Sequence, residues 1–252
     1  MISIIIPVLN EQHGIVQQLQ ALQVFRQQGH EIIMVDGGST DDTATLSQPL
    51  VDKVLYSQPG RAYQMNLGAA QASGDLLLFQ HCDSQLPDEA LTLLEALSDS
   101  QHWGRFDVCL TGRHPMFKVI AFMMNWRSRL TGIATGDQSI FVSRSLFEQL
   151  GGFPEQPLME DIELSSRLCQ LKKPVCFKQA LTTSSRRWQQ KGIWKTILLM
   201  WRLRLAYFCG VSAEKLVQQY YPNYVIHEKT QPDSIRQSAR TGKSKNPLDE
   251  PI

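Results

Sequence analysis

Short apolar runs alternate with helical stripes along the first 81 residues. "SIIIPVL" (3–9) is apolar from end to end, whereas residues 11–28 place apolar groups at 15, 16, 19, 22 and 25, the stripe of a helix. "EIIMVDGGST" (31–40) reads as a strand running into a glycine turn, with Ser39 or Thr40 available to cap a following short helix. A third strand is predicted at 52–57, a helix at 60–73 that stops near Gly74, and a fourth strand at 75–81, "DLLLFQH". Strands joined by helices of this length imply right-handed crossovers and a mostly parallel sheet. Their interiors carry no polar alternation, so helices are expected on both faces. The fold class is α/β, with a Rossmann-like central sheet. Ligands of such sheets bind beyond the carboxyl ends of the strands. Here those ends are Asn10 and Glu11, Asp36–Ser39, Gln58–Arg61 and His81–Ser84, all rich in polar groups.

The second half is less regular. Strands are predicted at 106–113 and 138–144, and helices at 117–130 and 158–173. Residues 192–210, "GIWKTILLMWRLRLAYFCG", form an apolar stretch interrupted by Lys195, Arg202 and Arg204. Lys191, Lys195 and Arg202 share one narrow helical face, and Trp194, Leu198, Trp201 and Leu205 belong to a broad apolar remainder. Such a helix either lies in a membrane interface or packs on the domain or a second subunit. Residues 227–252 are polar and poor in large apolar groups, as in a disordered tail.

At 252 residues the chain has room for one large domain or two small ones. A net charge of +1 gives no bulk electrostatic reason to bind nucleic acid. Five cysteines, an odd number with no C-x-x-C pair, suggest neither a zinc cluster nor a disulfide framework, and point to a reducing cytosol. The N-terminal run lacks a basic flank and contains Pro7, which makes it a core strand and not a signal peptide. No segment has 18 uninterrupted apolar residues, so no spanning helix is expected.

Four groups of residues carry candidate chemistry. Asp36 ends an early strand, where a carboxylate either accepts hydrogen bonds from a nucleoside or holds the turn that follows. No G-x-G-x-x-G follows the first strand, which argues against a dinucleotide site. Asp83 either holds a divalent ion, since Mg²⁺ needs only one or two protein carboxylates, or caps a helix beginning near Pro87. His81 is a second ligand or a polar wall, and Cys82 is expected to be small packing. In the 158–173 helix, Leu164, Leu168 and Leu171 define a buried face that Asp161 continues. A carboxylate there suits a general base, its pKa raised by partial burial, or else is simply an acidic first turn. Glu163 and Arg167 form an i, i+4 surface pair. Arg186, Arg187 and Trp188 neutralise a diphosphate and wall an acceptor site, or form a solvated basic loop.

In their order along the chain, "SIIIPVLNE", "VDGGSTDDT", "GRAYQMNLGA", "FQHCDSQLPDEAL", "GDQSIFVSR", "GGFPE" and "MEDIELSSRL" resemble the family-2 glycosyltransferases over about residues 1–190. The H-x-D, G-D-Q and P-L-M-E-D variants are most similar to a bacterial subgroup labelled arsenosugar-biosynthesis glycosyltransferases. The resemblance implies a single GT-A nucleotide-diphospho-sugar transferase domain over 1–226 that includes the helix near 190–210. It implies an inverting transfer from a nucleotide-diphosphate sugar, UDP-linked, to an acceptor hydroxyl. Pro7, Asn10, Glu11, Asp36, Gly38 and Arg61 would then serve the nucleotide. Asp83, with His81, would hold Mg²⁺ or Mn²⁺. Arg186, Arg187 and Trp188 would face the diphosphate and acceptor, and Asp161, beside Glu160, would be the base. The departure is His81, where the family's D-x-D metal motif has its first aspartate. A sugar-phosphate nucleotidylyltransferase is the rival enzyme, but "NEQHG" stands where its Gly-rich, Arg-containing loop belongs. A non-catalytic nucleotide-sugar sensor would have no need of Asp36, Asp83 and Asp161 together.

Overall fold

The computed structural model describes residues 1–97 and 101–221, so the tail expected at 227–252 lies outside the described residues. In chain order the elements are β1 (Ile2–Val8), α1 (Ile15–Ala21), α2 (Gln23–Gln27), β2 (Glu31–Asp36), α3 (Thr43–Ser47), β3 (Lys53–Tyr56), α4 (Arg61–Gln71), β4 (Leu76–Phe79), β5 (Ser84–Gln85) and α5 (Ala90–Glu95). Then follow β6 (Trp103–Leu110), α6 (Pro115–Thr131), β7 (Phe141–Ser143), α7 (Arg144–Gln149), α8 (Glu160–Leu171), β8 (Val175–Thr183), α9 (Arg186–Lys191), α10 (Ile193–Phe208) and α11 (Ala213–Tyr220).

The strands form one sheet in the order β3-β2-β1-β4-β7-β6-β8-β5. The β3-β2-β1-β4 half is parallel throughout. In the other half β7 runs antiparallel to both β4 and β6, β5 runs antiparallel to β8, and β6 and β8 are parallel. Side chains of the first half alternate between two cores, as pleated strands require. Ile4, Ile6, Ile32, Met34 and Leu78 face one core with Leu19, Phe25 and Leu94. Ile5, Ile33, Val35, Leu77 and Phe79 face the other with Met65, Leu164 and Leu168. Both faces are thus covered, which is why these strands carry unbroken apolar runs. Removing one such side chain, Leu78→Ala for example, should cost about 2–5 kcal/mol. Gly68 lets α4 lie directly on the sheet, since a Cβ there would sit 2.5 Å from Ile5 Cγ2.

Several sequence expectations need correction. The single helix expected over 11–28 is broken at Leu22, where the chain tightens through bonds three residues apart (Leu22 N to Leu19 O, Phe25 N to Leu22 O). The bend lets Leu19, Leu22 and Phe25 all enter the core. The fourth strand ends at Phe79, two residues before His81, because Gln80 is drawn into a buried network. Leu171 is 44% exposed and does not belong to the buried face of α8. Strand β8 was not anticipated. Its run "VCFKQALTT" is only partly buried and has no clean alternation.

Helices α6 and α10 pack on one another through Phe117, Ile120 and Met124 of the first and Ile193 and Ile197 of the second. Leu203 of α10 also packs on Leu158, Ile162 and Leu216. No helix among the described residues is long and apolar enough to cross a membrane.

Candidate active site

The carboxyl ends of β1 and β4, the start of α4 and the C-terminal helices enclose a cleft of about 620 Å³, within the range of small-molecule sites. It is lined by Pro7, Glu11, Arg61, His81, Asp83 and Arg187, together with Trp188 and others. Asn10, Asp36, Gly38 and Arg186 are outside its wall.

Asp36 is buried and holds its turn. Its Oδ1 accepts from Ser39 N at 2.9 Å and Ser39 Oγ at 2.6 Å. Ser39 Oγ in turn accepts from Asn10 N at 2.9 Å, and Asn10 Oδ1 accepts from Thr40 N at 2.9 Å. Thr43 Oγ1 accepts from Glu11 N at 2.8 Å. The acidic-glycine segment therefore clamps the loop after β1, where Asn10 takes a left-handed φ of 55°, and so fixes Glu11 at the cleft. Gln64, not singled out from the sequence, donates to Val8 O and Val35 O, each at 2.8 Å, and ties β1 to β2 at the cleft floor. Its signal was a polar residue on the otherwise apolar buried face of α4, beside Ala62, Met65 and Gly68.

Arg61, the first residue of α4, lies with its Nε 3.0 Å from Oε1 of Glu160. The Glu160 carboxylate holds this guanidinium charged well beyond its ordinary range, against the effect of burial. Burial pushes the Glu160 carboxyl up and Arg61 opposes it. Glu160 is thus the buried counter-ion of Arg61. Asp161 is placed otherwise. Its Oδ2 accepts from Gly136 N and its Oδ1 from Ile162 N, both at 2.8 Å. It faces a cavity of about 10 Å³ behind His81, not the large cleft. Each carboxylate oxygen keeps a free lone pair.

His81 lies in the turn after β4 and against Gly136, where an added Cβ would come within 2.5 Å of Nε2. Its Nδ1 is 3.6 Å from Oδ1 of Asp137. Asp137 lines the cleft. Burial works against its ionisation, but His81, Arg61 and Arg204 together hold it below the usual carboxylate range. The "GDQ" segment was legible as a motif, yet Asp137 was not recognised as a site residue. Cys82 packs on the first core. Burial, and then Glu11 beside it, push its thiol well up, so it stays protonated.

Asp83 is exposed in the cleft and caps no helix, since α5 begins at Ala90 with Glu89 as its cap. Its carboxylate makes one long contact, from Ser84 Oγ at 3.4 Å. No group of three His, Cys, Asp or Glu among the described residues could hold a metal alone. The chemistry fits an ion that takes one or two carboxylates from the protein and the rest of its shell from diphosphate and water. Asp83 and Asp137 are carboxylates of the cleft wall that could supply them. On the far wall, Arg187 lies 3.5 Å over the Tyr220 ring and donates to Tyr220 O at 3.2 Å. Trp188, Tyr220 and Tyr221 complete an aromatic wall. The two tyrosines come from the end of α11 and were not singled out from the sequence.

The parallel half-sheet, whose carboxyl ends open into a cleft lined by carboxylates, two arginines and aromatic rings, has the GT-A fold. The glycosyl transferase family 2 model matches residues 3–150, and the chain belongs to that family. An uncharacterized glycosyltransferase of Mycobacterium tuberculosis is 31% identical over 193 residues, 71% of this chain and 73% of the relative. An undecaprenyl-phosphate 4-deoxy-4-formamido-L-arabinose transferase of Yersinia enterocolitica is 31% identical over 54% of this chain, a match that spans only 46% of that enzyme. Among solved structures, Staphylococcus aureus TarS in complex with UDP superposes with a TM-score of 0.59 at 19% identity, covering 73% of this chain and 60% of that one. Glucosyl-3-phosphoglycerate synthase of M. tuberculosis, solved with Mn²⁺, UDP and glucosyl-3-phosphoglycerate, gives 0.57 at 19% identity, covering 84% and 80%. The chain is a glycosyltransferase, which sets aside the nucleotidylyltransferase and sensor alternatives.

Proposed function

We propose that the cleft binds a uridine-diphosphate sugar and that the sugar passes to an acceptor hydroxyl with inversion, Asp161 taking the proton. The convergence of Asp83, Asp137 and Arg187 on one cleft carries the reading. Asp83 and Asp137 would hold Mg²⁺ or Mn²⁺, which offsets charge on the departing diphosphate. Arg187 adds a cation already set by its stacking on Tyr220, and Trp188 offers an apolar wall. A loose Asp161 would be a poor base. Here Gly136 and Ile162 fix both of its oxygens, so its remaining lone pairs keep one direction. The solved neighbours in complex with UDP, one of them also with Mn²⁺, support the donor and metal assignments by analogy.

The reading includes a peripheral membrane contact. Trp194, Leu198, Trp201, Leu205 and Phe208 form an exposed stripe on α10, and Phe122, Trp126 and Leu130 are exposed on α6. Neither helix contains an Asp or Glu, and Lys118, Lys195 and Arg202 are exposed on them. A basic, apolar face of this kind complements an anionic bilayer, whereas a second copy of itself would oppose it with like charge. The membrane is therefore the occupant we assign.

The test is titration calorimetry of UDP and of GDP with Mn²⁺, alongside assay of nucleotide release from UDP-sugars. Tight UDP binding with turnover is the expected result. No binding of either diphosphate would overturn the donor assignment.

A further inference from the structure

This protein partners its buried guanidiniums with care. Arg105, fully buried, donates to Ser128 Oγ and to Asn125 O and pairs with Asp107. Arg61 has Glu160. Arg144 donates to the carbonyls of Ala72 and Gly74. Arg187 has a buried Nε without a partner but still donates through Nη2 to Tyr220 O, whereas two other arginines depart from this pattern altogether. Nε and Nη2 of Arg127 and Nε of Arg204 are shut off from solvent and have no hydrogen-bond partner among the described residues. Nor does either side chain form an ion pair among them.

The two are also neighbours in charge. Burial pushes Arg127 down to about 10, and Arg204 adds to the effect. Burial likewise lowers Arg204. Both stay cationic near neutral pH, so two like charges are held together with donors unused, an arrangement that calls for an anion. The carboxylates that act on them are Asp161, on both, and Asp137, on Arg204. Neither lies within ion-pair distance of them, and Asp161 already receives Gly136 and Ile162.

Their placement gives the ligand a role. Thr196 and Met200 of α10 line the cleft. Arg204 lies one turn beyond Met200 on the same helical row. Arg127 lies one turn beyond Met124, on the side of α6 that meets α10. The pair therefore sits between α6 and α10, within electrostatic reach of Asp161 and, for Arg204, of Asp137.

We propose that Arg127 and Arg204 form a subsite for a phosphate group on the acceptor, so that this transferase glycosylates a phosphate-bearing molecule. Two planar forks present several N–H donors to tetrahedral oxygens, a match for a phosphate monoester. The phosphate neutralises the pair and holds the acceptor's hydroxyl next to Asp161. The inference rests on the glycosyltransferase reading, but its test does not depend on donor binding.

The probes are glycerol 3-phosphate in solution and vesicles of phosphatidylcholine with or without phosphatidic acid. Wild-type protein is compared with Arg127→Gln, Arg204→Gln and the double Arg127→Met/Arg204→Met variant, all with saturating UDP and Mn²⁺ to cover the donor site. Glycerol 3-phosphate should raise the melting temperature of the wild type, and its affinity should fall at least about tenfold in each Gln variant. If the natural phosphate belongs to a lipid, the same loss appears only with phosphatidic-acid vesicles. In phosphate-free buffer the double Met variant should melt no lower than wild type, because it removes unpaired buried charge. Arginines that merely support the fold would make it melt lower. Probe binding equal in all four proteins, or absent from the wild type on both arms, would overturn the proposal. UDP that fails to bind while the arginine-dependent phosphate binding persists would refute only the donor assignment.

Discussion

Asp161→Asn removes the charge that the proposed chemistry needs, but it also disturbs the loop that Asp161 holds. The carboxylate accepts two backbone N–H groups, one on each oxygen. An asparagine offers one oxygen and one NH₂, so whichever way it turns, a donor faces either Gly136 N or Ile162 N. Leaving one such group unsatisfied costs about 1–3 kcal/mol. For a chain of this size each kcal/mol shifts the melting temperature by roughly 2–4 °C, which gives a drop of roughly 2–12 °C. Loss of a general base should cost roughly 10²–10⁴-fold in turnover, equivalent to about 2.7–5.4 kcal/mol in the barrier. The two effects separate by assay. Melting curves report the loop, calorimetry of UDP with Mn²⁺ reports the cleft, and turnover of a UDP-sugar under saturation reports the base. The expected variant is folded at 25 °C, binds UDP within a few-fold of wild type, and is nearly inactive. A folded variant with turnover within about tenfold of wild type would refute the assignment of Asp161, and its burial behind His81 would then be purely structural.

Further outcomes follow from other parts of the molecule. Glu31 is buried among Lys53 Nζ at 2.7 Å, Ser3 Oγ at 2.7 Å and Ser73 N at 2.8 Å. Burial works to raise its pKa, but these partners hold it below its ordinary value of 4.5. Its contribution to stability is therefore complete above pH 4.5 and lost as pH falls through the depressed native value; the gap in melting temperature between wild type and Glu31→Gln should close between pH 5 and pH 3. A Trp194→Ser/Trp201→Ser variant should lose most of its flotation with anionic liposomes at low salt and keep its melting temperature, since both rings are about two-thirds exposed. Wild-type protein that ignores such liposomes would remove the membrane contact. Chelation of divalent ions, or Asp83→Ala, should weaken UDP binding at least about tenfold by calorimetry, and unchanged binding would remove Asp83 from the metal site.

The parallel half of the sheet was legible because buried-strand runs and helical stripes leave strong local patterns. Ile4, Leu78 and Leu164 are core residues wherever their neighbours lie. The antiparallel half was harder to read, because β7 has three residues and β8 is partly exposed. Residues at strand ends were identified as polar, but their division of labour depends on contacts between distant segments. Asp36 faces Ser39 and not the cleft, and Glu160 is claimed by Arg61, 99 positions away. Nothing local distinguishes Arg204, turned inward on α10, from Arg202, which reaches out to Gln219. The tyrosines of α11 enter the cleft only because α10 folds back on α8.

The exchange of the family's usual first metal-motif carboxylate for His81 does not leave the cleft short of negative charge. Glu11, Asp83 and Asp137 all line it. Asp137 comes from a different segment, and His81 is one of the groups that keep it ionised. In the proposed metal site Asp137, 3.6 Å from His81, would stand in for the missing aspartate. The cations present are less available than they look. Arg61 is neutralised by Glu160, and Arg187 is stacked on Tyr220. A diphosphate entering such a cleft without a counter-ion would meet three carboxylates against about one free positive charge. At 4 Å and an effective dielectric near 20, each unscreened like-charge contact costs about 4 kcal/mol. A divalent cation between the carboxylates and the diphosphate reverses the sign of these interactions, and the same ion offsets charge on the leaving group. Metal dependence is therefore the expected consequence of this charge distribution, despite the missing aspartate. The Arg127–Arg204 pair forms no ion pair with these carboxylates among the described residues, and in our proposal it binds a second anion without a metal.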